Sequence, residues 1–339
     1  MAMIAGGMIG SSIFSLSGLT MTAAGPAAII TWAIAAAIML CYGLVCAELS
    51  TRFPKSGGVF VFPSKALGKT EEQGRLWGWI STWGYINANI VAIAFAAIYV
   101  GTYLSVGFPI FGKLQIPLAI GSIILILVLN SMKFALAGKV NNLLVLGLAL
   151  TMIAYVIIAF VSGAWDGSTL VPFFTQGSGG STGFLAMVPT AMTGYGSIVA
   201  MAFMVSEVKN PNKNVPKSVL IAMIIVLCLY LGIILATVGM VSAQFLMDNP
   251  GMQFIPLYAA AFTKLASIPW VSKLISVAAL LALLTTMLTV MSLTSRAIQA
   301  AADKGLMPEG LAKNNKVAGY QLLHPTPVVV VTVSFFPFQ

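Results

Sequence analysis

Apolar positions run along this chain in long unbroken stretches, neither alternating as in a half-buried strand nor confined to one helical face. No charged residue interrupts Met1 to Ala47, Leu76 to Gly112, Val140 to Trp165 or Ser218 to Ala243. Each stretch is longer than the roughly 18 apolar residues that carry a helix across a bilayer. The pattern predicts membrane-spanning helices at about residues 1–21, 27–49, 77–105, 116–132, 140–163, 184–206, 218–243 and 274–298, with a ninth beginning near Thr326. Between them stand the breakers expected of loops: Gly25-Pro26, Pro54 with Gly57-Gly58, Pro109 with Gly112, the stretch from Gly177 to Gly183, Asn210-Pro211 and Asn249-Pro250-Gly251. The fold class expected is therefore all-α integral membrane.

Composition removes the competing classes. Of 339 residues 59% are hydrophobic and 7% charged, against about a quarter charged in an ordinary soluble domain. The formal net charge of +9 would raise nucleic acid as a partner of a soluble chain, but no soluble basic module exists to carry it. If the first span starts inside, the even-numbered loops are cytoplasmic. Together with the end of the eighth span, which carries Arg296, they hold every one of the 17 Lys and Arg except Lys113, Lys264 and Lys273. That asymmetry puts the N-terminus on the cytoplasmic side of the membrane, the plasma membrane being the one expected, and leaves the lipid bilayer, not nucleic acid, as the partner of the basic residues. Cys41, Cys46 and Cys228 lie inside apolar runs, and His324 is the sole histidine, so neither a disulfide framework nor a metal site is expected. A membrane enzyme would need clustered carboxylates, histidines or a nucleophile with a base, and the spans carry none. No cofactor is expected. Met1 leads straight into apolar sequence without a basic segment, so a cleaved secretory signal is not expected either.

Two spans contain residues that a spanning helix should avoid. Gly6-Gly7-Met8-Ile9-Gly10-Ser11-Ser12 in the first and Thr193-Gly194-Tyr195-Gly196-Ser197 in the sixth place glycine and hydroxyl residues at mid-span. Small residues let helix backbones approach, and close packing alone accounts for either segment. Occurring at matching places in two halves, they also point to helices broken around a substrate site near the midplane. An unwound turn frees N–H groups at one half-helix start, which suit a carboxylate, and carbonyls at the other end, which suit an ammonium.

These segments resemble the amino acid-polyamine-organocation superfamily of secondary transporters. Gly10-Ser11-Ser12-Ile13-Phe14 is similar to its first-span motif G-S-G-[IV]-F. Glu48-Leu49 with Phe53-Pro54-Lys55-Ser56-Gly57-Gly58-Val59-Phe60 resembles its E-L-x(5)-P-x-x-G-G-x-[YF] segment. Glu207-Val208-Lys209-Asn210-Pro211-Asn212-Lys213-Asn214-Val215-Pro216 resembles E-x-K-N-P-x-K-x-x-P, and Ala300 to Pro308 resembles the cytoplasmic end of the eighth span. The resemblance implies a five-plus-five inverted-repeat fold with discontinuous first and sixth helices. Its first repeat would cover about 1–165 and its second about 184–339, the latter incomplete. It further implies transport of amino acids or related amines by alternating access, as a permease or antiporter. By position the substrate carboxylate would meet the backbone of Ser11, Ser12 and Ile13. The amine would meet carbonyls near Met8 and near Thr193 to Gly196, with Gly10, Asn89, Tyr195 and Val290 completing the site. Ser12 stands where the motif has its second glycine, and Ile198-Val199 where many members carry Gly-Glu.

With no carboxylate expected at the site, a neutral amino acid is the expected substrate; a cationic amino acid or polyamine exchanger is the alternative. So is a transport-inactive sensor or assembly subunit, which fold alone does not separate from a permease. In the eighth span Thr285, Thr289, Ser292 and Arg296 recur along one helical stripe. Hydroxyls bonded back to their own helix explain such a stripe without function. The functional reading is a Na⁺ site facing the first span; ion-independent exchange and H⁺ coupling remain open beside it. Some relatives instead carry a lysine in the fifth span, where this chain has Leu148.

Overall fold

The computed structural model describes residues 6–53, 57–131, 134–200, 205, 208 and 210–308. The ninth span, Glu207 and Lys209 of the loop motif and Pro54 to Ser56 lie outside the described residues. All regular structure among the described residues is helical. Ser11–Ala24 (α1), Ala28–Arg52 (α2), Gly58–Leu67 (α3), Glu71–Gly107 (α4), Gln115–Ser131 (α5) and Phe134–Val161 (α6) form the first part. Gly183–Ala186 (α7) and Val188–Met192 (α8) follow, then Pro211–Val238 (α9), Ala243–Asp248 (α10), Pro256–Lys264 (α11) and Trp270–Ala302 (α12).

Among the described residues six stretches are long and apolar enough to cross a membrane: Ser11–Arg52, Glu71–Gly107, Asn142–Val161, Gly180–Ala200, Pro211–Val238 and Trp270–Ala302. At 42 residues the first is two crossings, α1 and α2, joined by the tight turn Gly25–Ala27. α5 is a shorter apolar helix. A seven-span core plus α5 reproduces the eight expected spans. The chain is a multi-pass integral membrane protein, and α6 shows why no aqueous fold would suit it. Leu148, Met152, Tyr155 and Ala159 face inward and are fully buried. Leu143, Leu146, Leu150, Ile153 and Ile157 lie on the outer face and are exposed. A helix apolar on every side needs an apolar solvent outside as well as a core inside.

Three features differ from the expectation of loops between spans. α3 forms in the segment after α2, with Gly57 at φ +83° at its start, a conformation that favours glycine; a Cβ there would lie 2.4 Å from Cβ of Ala300 on α12. α10 and α11 form in the segment between the seventh and eighth spans. The stretch from Gly177 to Gly183 is packed against the end of α1: Ser178 and Gly179 donate N–H bonds of 2.9 Å to the Thr22 and Ala23 carbonyls. Those carbonyls belong to the last turn of a helix and have no partner within it. Gly177, Gly179 and Gly183 approach Ala23 so closely that a Cβ on any of them would lie 2.2 to 3.0 Å from its carbonyl oxygen. In the neighbouring loop Asp166 accepts from the Ser168 N–H at 2.8 Å, a bond that holds its carboxyl below the usual range.

α12 packs along α4, and α9 along α2. The core between them holds Trp32, Tyr103, Tyr155, Tyr195 and Tyr230, all fully buried. Each tyrosine hydroxyl in that group has a partner, as buried polar groups require. Tyr103 donates to the Phe14 carbonyl at 2.6 Å, Tyr195 to the Trp32 carbonyl at 3.2 Å, and Tyr155 shares a 2.9 Å bond with Thr237.

Candidate functional site

Residues 6–8 are helical, Ile9 and Gly10 are not, and α1 begins at Ser11. Gly10 is extended at φ −131°, ψ −153°, and no side chain caps the helix. The first N–H groups of α1 therefore lack both an intrahelical and a side-chain partner. In the sixth stretch α8 gives way at Thr193 to a tighter 3-10 turn running to Ala200. Tyr230 on α9 lies against both places: its hydroxyl is hydrogen-bonded to the Met8 carbonyl and reaches the Gly194 carbonyl at 3.2 Å. One hydroxyl has one proton, so it serves these two carbonyls in turn or shares between them.

A cavity of about 440 Å³ opens between these segments, α4 and α12. That size suits a small-molecule site. Met8, Gly10, Ser11, Ser12, Asn89, Thr193, Gly196 and Val290 line it. Ile13 and Tyr195 do not. Both are fully buried, and the Tyr195 ring packs against Trp32 and Tyr230 at centroid distances of 6.0 and 5.3 Å. For Ile13 the expected contact was through the backbone at the helix start; for Tyr195 the side chain points into the core because its hydroxyl finds the Trp32 carbonyl there.

Asn89 donates to the Tyr85 carbonyl at 2.8 Å and so turns its amide back along α4. The remaining lining is mostly apolar, including Leu16, Ala92, Phe95 and Leu293. No Asp, Glu, Lys or Arg is among the lining residues. The glycines divide into two roles. A Cβ on Gly7 would lie 2.7 Å from Ser197, and one on Gly194 2.6 Å from the Trp32 ring, so both are close-packing positions. Gly196 has nothing within 4 Å of a Cβ and faces the open cavity.

On α12 the cavity is lined by Thr286, Val290 and Leu293, one position round the helix from the stripe expected to hold an ion. Thr285 is fully buried and bonds the Ala282 carbonyl at 2.9 Å, the inert arrangement for a membrane threonine. Thr289 is buried with no hydrogen-bond partner for its hydroxyl, and Ser292 is half-buried. Thr286 is not among the expected site residues, although its place is signalled by spacing: it stands four residues before Val290. Leu148 is fully buried on α6. At the helix end, Glu48 pairs with Arg52 at 2.5 Å with both side chains exposed, a pair of little energetic weight. No cluster of His, Cys, Asp and Glu suited to a metal ion occurs among the described residues.

A family profile described as amino acid permease matches residues 1–337, and the chain belongs to that family. It is 26% identical to the branched-chain amino acid permease BcaP of Bacillus subtilis, with 91% of this chain and 66% of the relative covered. With the serine/threonine exchanger SteT of the same organism it shares 27% identity, covering 72% of this chain and 54% of the relative. An uncharacterized transporter of Mycobacterium tuberculosis is 26% identical over 91% of this chain. The chain spans 65% of that relative's length.

Proposed function

We propose that this chain forms the substrate-holding part of a secondary transporter for neutral amino acids with apolar side chains, working by alternating access in a five-plus-five inverted-repeat fold. The observation that carries the reading is the cavity between the first and sixth stretches, α4 and α12, whose lining is uncharged and mostly apolar. The uncapped start of α1 presents backbone N–H groups to a carboxylate, favoured there by the helix dipole. The ammonium group takes the carbonyls on the opposite wall. Met8 keeps a free lone pair beside its bond to Tyr230, since a carbonyl accepts two. Leu16, Phe95, Val290 and Leu293 receive the side chain. A cationic substrate would bury its second charge with no counter-ion among these residues. The names of BcaP and SteT, both of neutral amino acids, favour a neutral substrate, and that of BcaP, for branched-chain amino acids, an apolar side chain.

The test is uptake of labelled leucine into liposomes containing the full-length protein. Saturable uptake, competed by aliphatic amino acids and not by arginine or a polyamine, is the expected result. Leucine binding without flux favours the sensor reading. Equal competition by arginine removes the neutral-substrate assignment.

Orientation belongs to the same proposal, with the N-terminus in the cytoplasm of the plasma membrane. A cysteine replacing Lys213, in a background lacking Cys41, Cys46 and Cys228, should react with an impermeant thiol reagent only from the cytoplasmic side. Labelling in intact cells would reverse the topology.

A further inference from the structure

At the bundle end where α4 begins and α12 finishes, a second cleft of about 620 Å³ separates the α3–α4 corner from the residues after α12. Its charged lining is Lys65, Lys69, Arg75 and Lys304 against Glu71 and Asp303, a surplus of positive charge. None of these groups forms an ion pair with another. The two carboxylates thus offset part of the positive charge without direct pairing, and the cleft keeps a net positive lining. Arg75 reaches across the cleft and donates one N–H to the Lys304 carbonyl at 3.3 Å, which fixes its guanidinium at the wall and leaves further donors. The corner is held tight by glycine: a Cβ on Gly68 would lie 2.4 Å from Cα of Gly74, and one on Gly74 2.9 Å from the Ser64 carbonyl.

The depth of the cleft follows from its neighbours. Trp77, Trp79 and Trp83 begin two residues beyond Arg75 on α4, and Trp79 and Trp83 pack with centroids 5.4 Å apart. Tryptophans gather at the membrane–water boundary, so the cleft sits at headgroup level. Leu67, Leu76 and Trp77, which adjoin the lining residues Gly68 and Arg75 in the chain, are each exposed, at 55%, 55% and 42%. A soluble phosphate would leave that apolar rim unused, whereas acyl chains would cover it.

We propose that this cleft binds the phosphodiester headgroup of an anionic phospholipid, with Lys65, Lys69, Arg75 and Lys304 as its cationic partners and the acyl chains lying on Leu67, Leu76 and Trp77. Basic pockets between helices at this depth have the chemistry for such headgroups. The lipid would tie the α3–α4 corner to the end of α12, the helix that also lines the substrate cavity. The assignment does not depend on what the cavity carries.

The experiment measures lipid retained by the full-length protein in nanodiscs of phosphatidylcholine containing phosphatidylglycerol, read by native mass spectrometry after detergent release. Selective retention of phosphatidylglycerol is expected. The selectivity should fall about fivefold for each lysine neutralised in the series Lys65→Gln, Lys69→Gln, Lys304→Gln. Arginine at the same three positions should keep it, and so should glutamine at Lys113, Lys264 and Lys273. Undiminished selectivity in the triple glutamine protein overturns the proposal. So does displacement of the lipid by excess inorganic phosphate at matched ionic strength, which would make the cleft a site for a soluble anion.

Discussion

Replacing Gly10 by valine should weaken substrate binding by up to about 150-fold while leaving a membrane-inserted protein. The cause is space more than backbone freedom, because Gly10 is extended with negative φ, a conformation open to any residue. A Cβ on Gly10 would lie 1.9 Å from Oγ1 of Thr286 and 3.2 Å from its Cβ. Thr286 cannot turn away freely, since its hydroxyl is bonded to the Ala282 carbonyl at 2.9 Å. The first stretch must then move off α12 at the point where both line the cavity. Overpacking of this kind costs about 1 to 3 kcal/mol, which is roughly 5- to 150-fold if it falls wholly on binding. The pair can be separated by a double-mutant cycle. Gly10→Ala alone should weaken leucine binding, and Thr286→Ala in the same protein should recover much of the loss by removing the clashing oxygen. Gly196→Ala, with open space around its Cβ, is the control that should fold normally and only narrow the cavity. Full affinity in a folded Gly10→Val protein would make this segment a packing surface with no part in the site.

What the sequence discloses and what it hides divide along physical lines. Spans are legible because the bilayer demands unbroken apolar length, and the expected and observed helices agree to within a few residues at most ends. The glycine clusters are legible as exceptions to that demand. Their two meanings are not separable in one dimension: Gly194 answers to the Trp32 ring and Gly196 lines the cavity, though they stand two residues apart. Likewise the polar stripe on α12 was read through Thr285 and Thr289, whereas the cavity meets Thr286. A helix turns about 100° per residue, so one position decides which neighbour a side chain meets. Tyr230 gave no signal at all. Its role comes from two carbonyls, 222 and 36 residues away in the chain, that only the fold brings to one hydroxyl. α3 was hidden for another reason: its ten residues include Pro63, and they pack against α4 rather than span.

Thr289 offers the sharper decision on coupling. Its hydroxyl is buried, 2% exposed, and unlike Thr285, Thr286 and Thr294 it does not bond a carbonyl of its own helix. Its methyl lies 3.0 Å from where a Cβ on Gly7 would be, so the side chain packs against helical residues 6–8, just before the break at Ile9 and Gly10. A buried hydroxyl without a partner costs about 1 to 3 kcal/mol. That cost is recovered if a Na⁺ ion takes the oxygen together with backbone carbonyls, and it is simply carried if none does. If the ion binds, Na⁺ should raise substrate affinity by about 1 to 3 kcal/mol of coupling, roughly 5- to 150-fold, and substrate should raise Na⁺ affinity by the same factor. Thr289→Val keeps the shape and deletes the oxygen. It should abolish the Na⁺ effect, leave affinity in choline nearly unchanged, and hold or raise the melting temperature without Na⁺, because the unpaired hydroxyl is gone. Identical substrate binding in Na⁺ and choline for the unaltered protein would eliminate sodium coupling. The valine protein would then be the more stable of the two in either salt, and exchange of internal for external amino acid without an ion gradient would become the expected mode of transport.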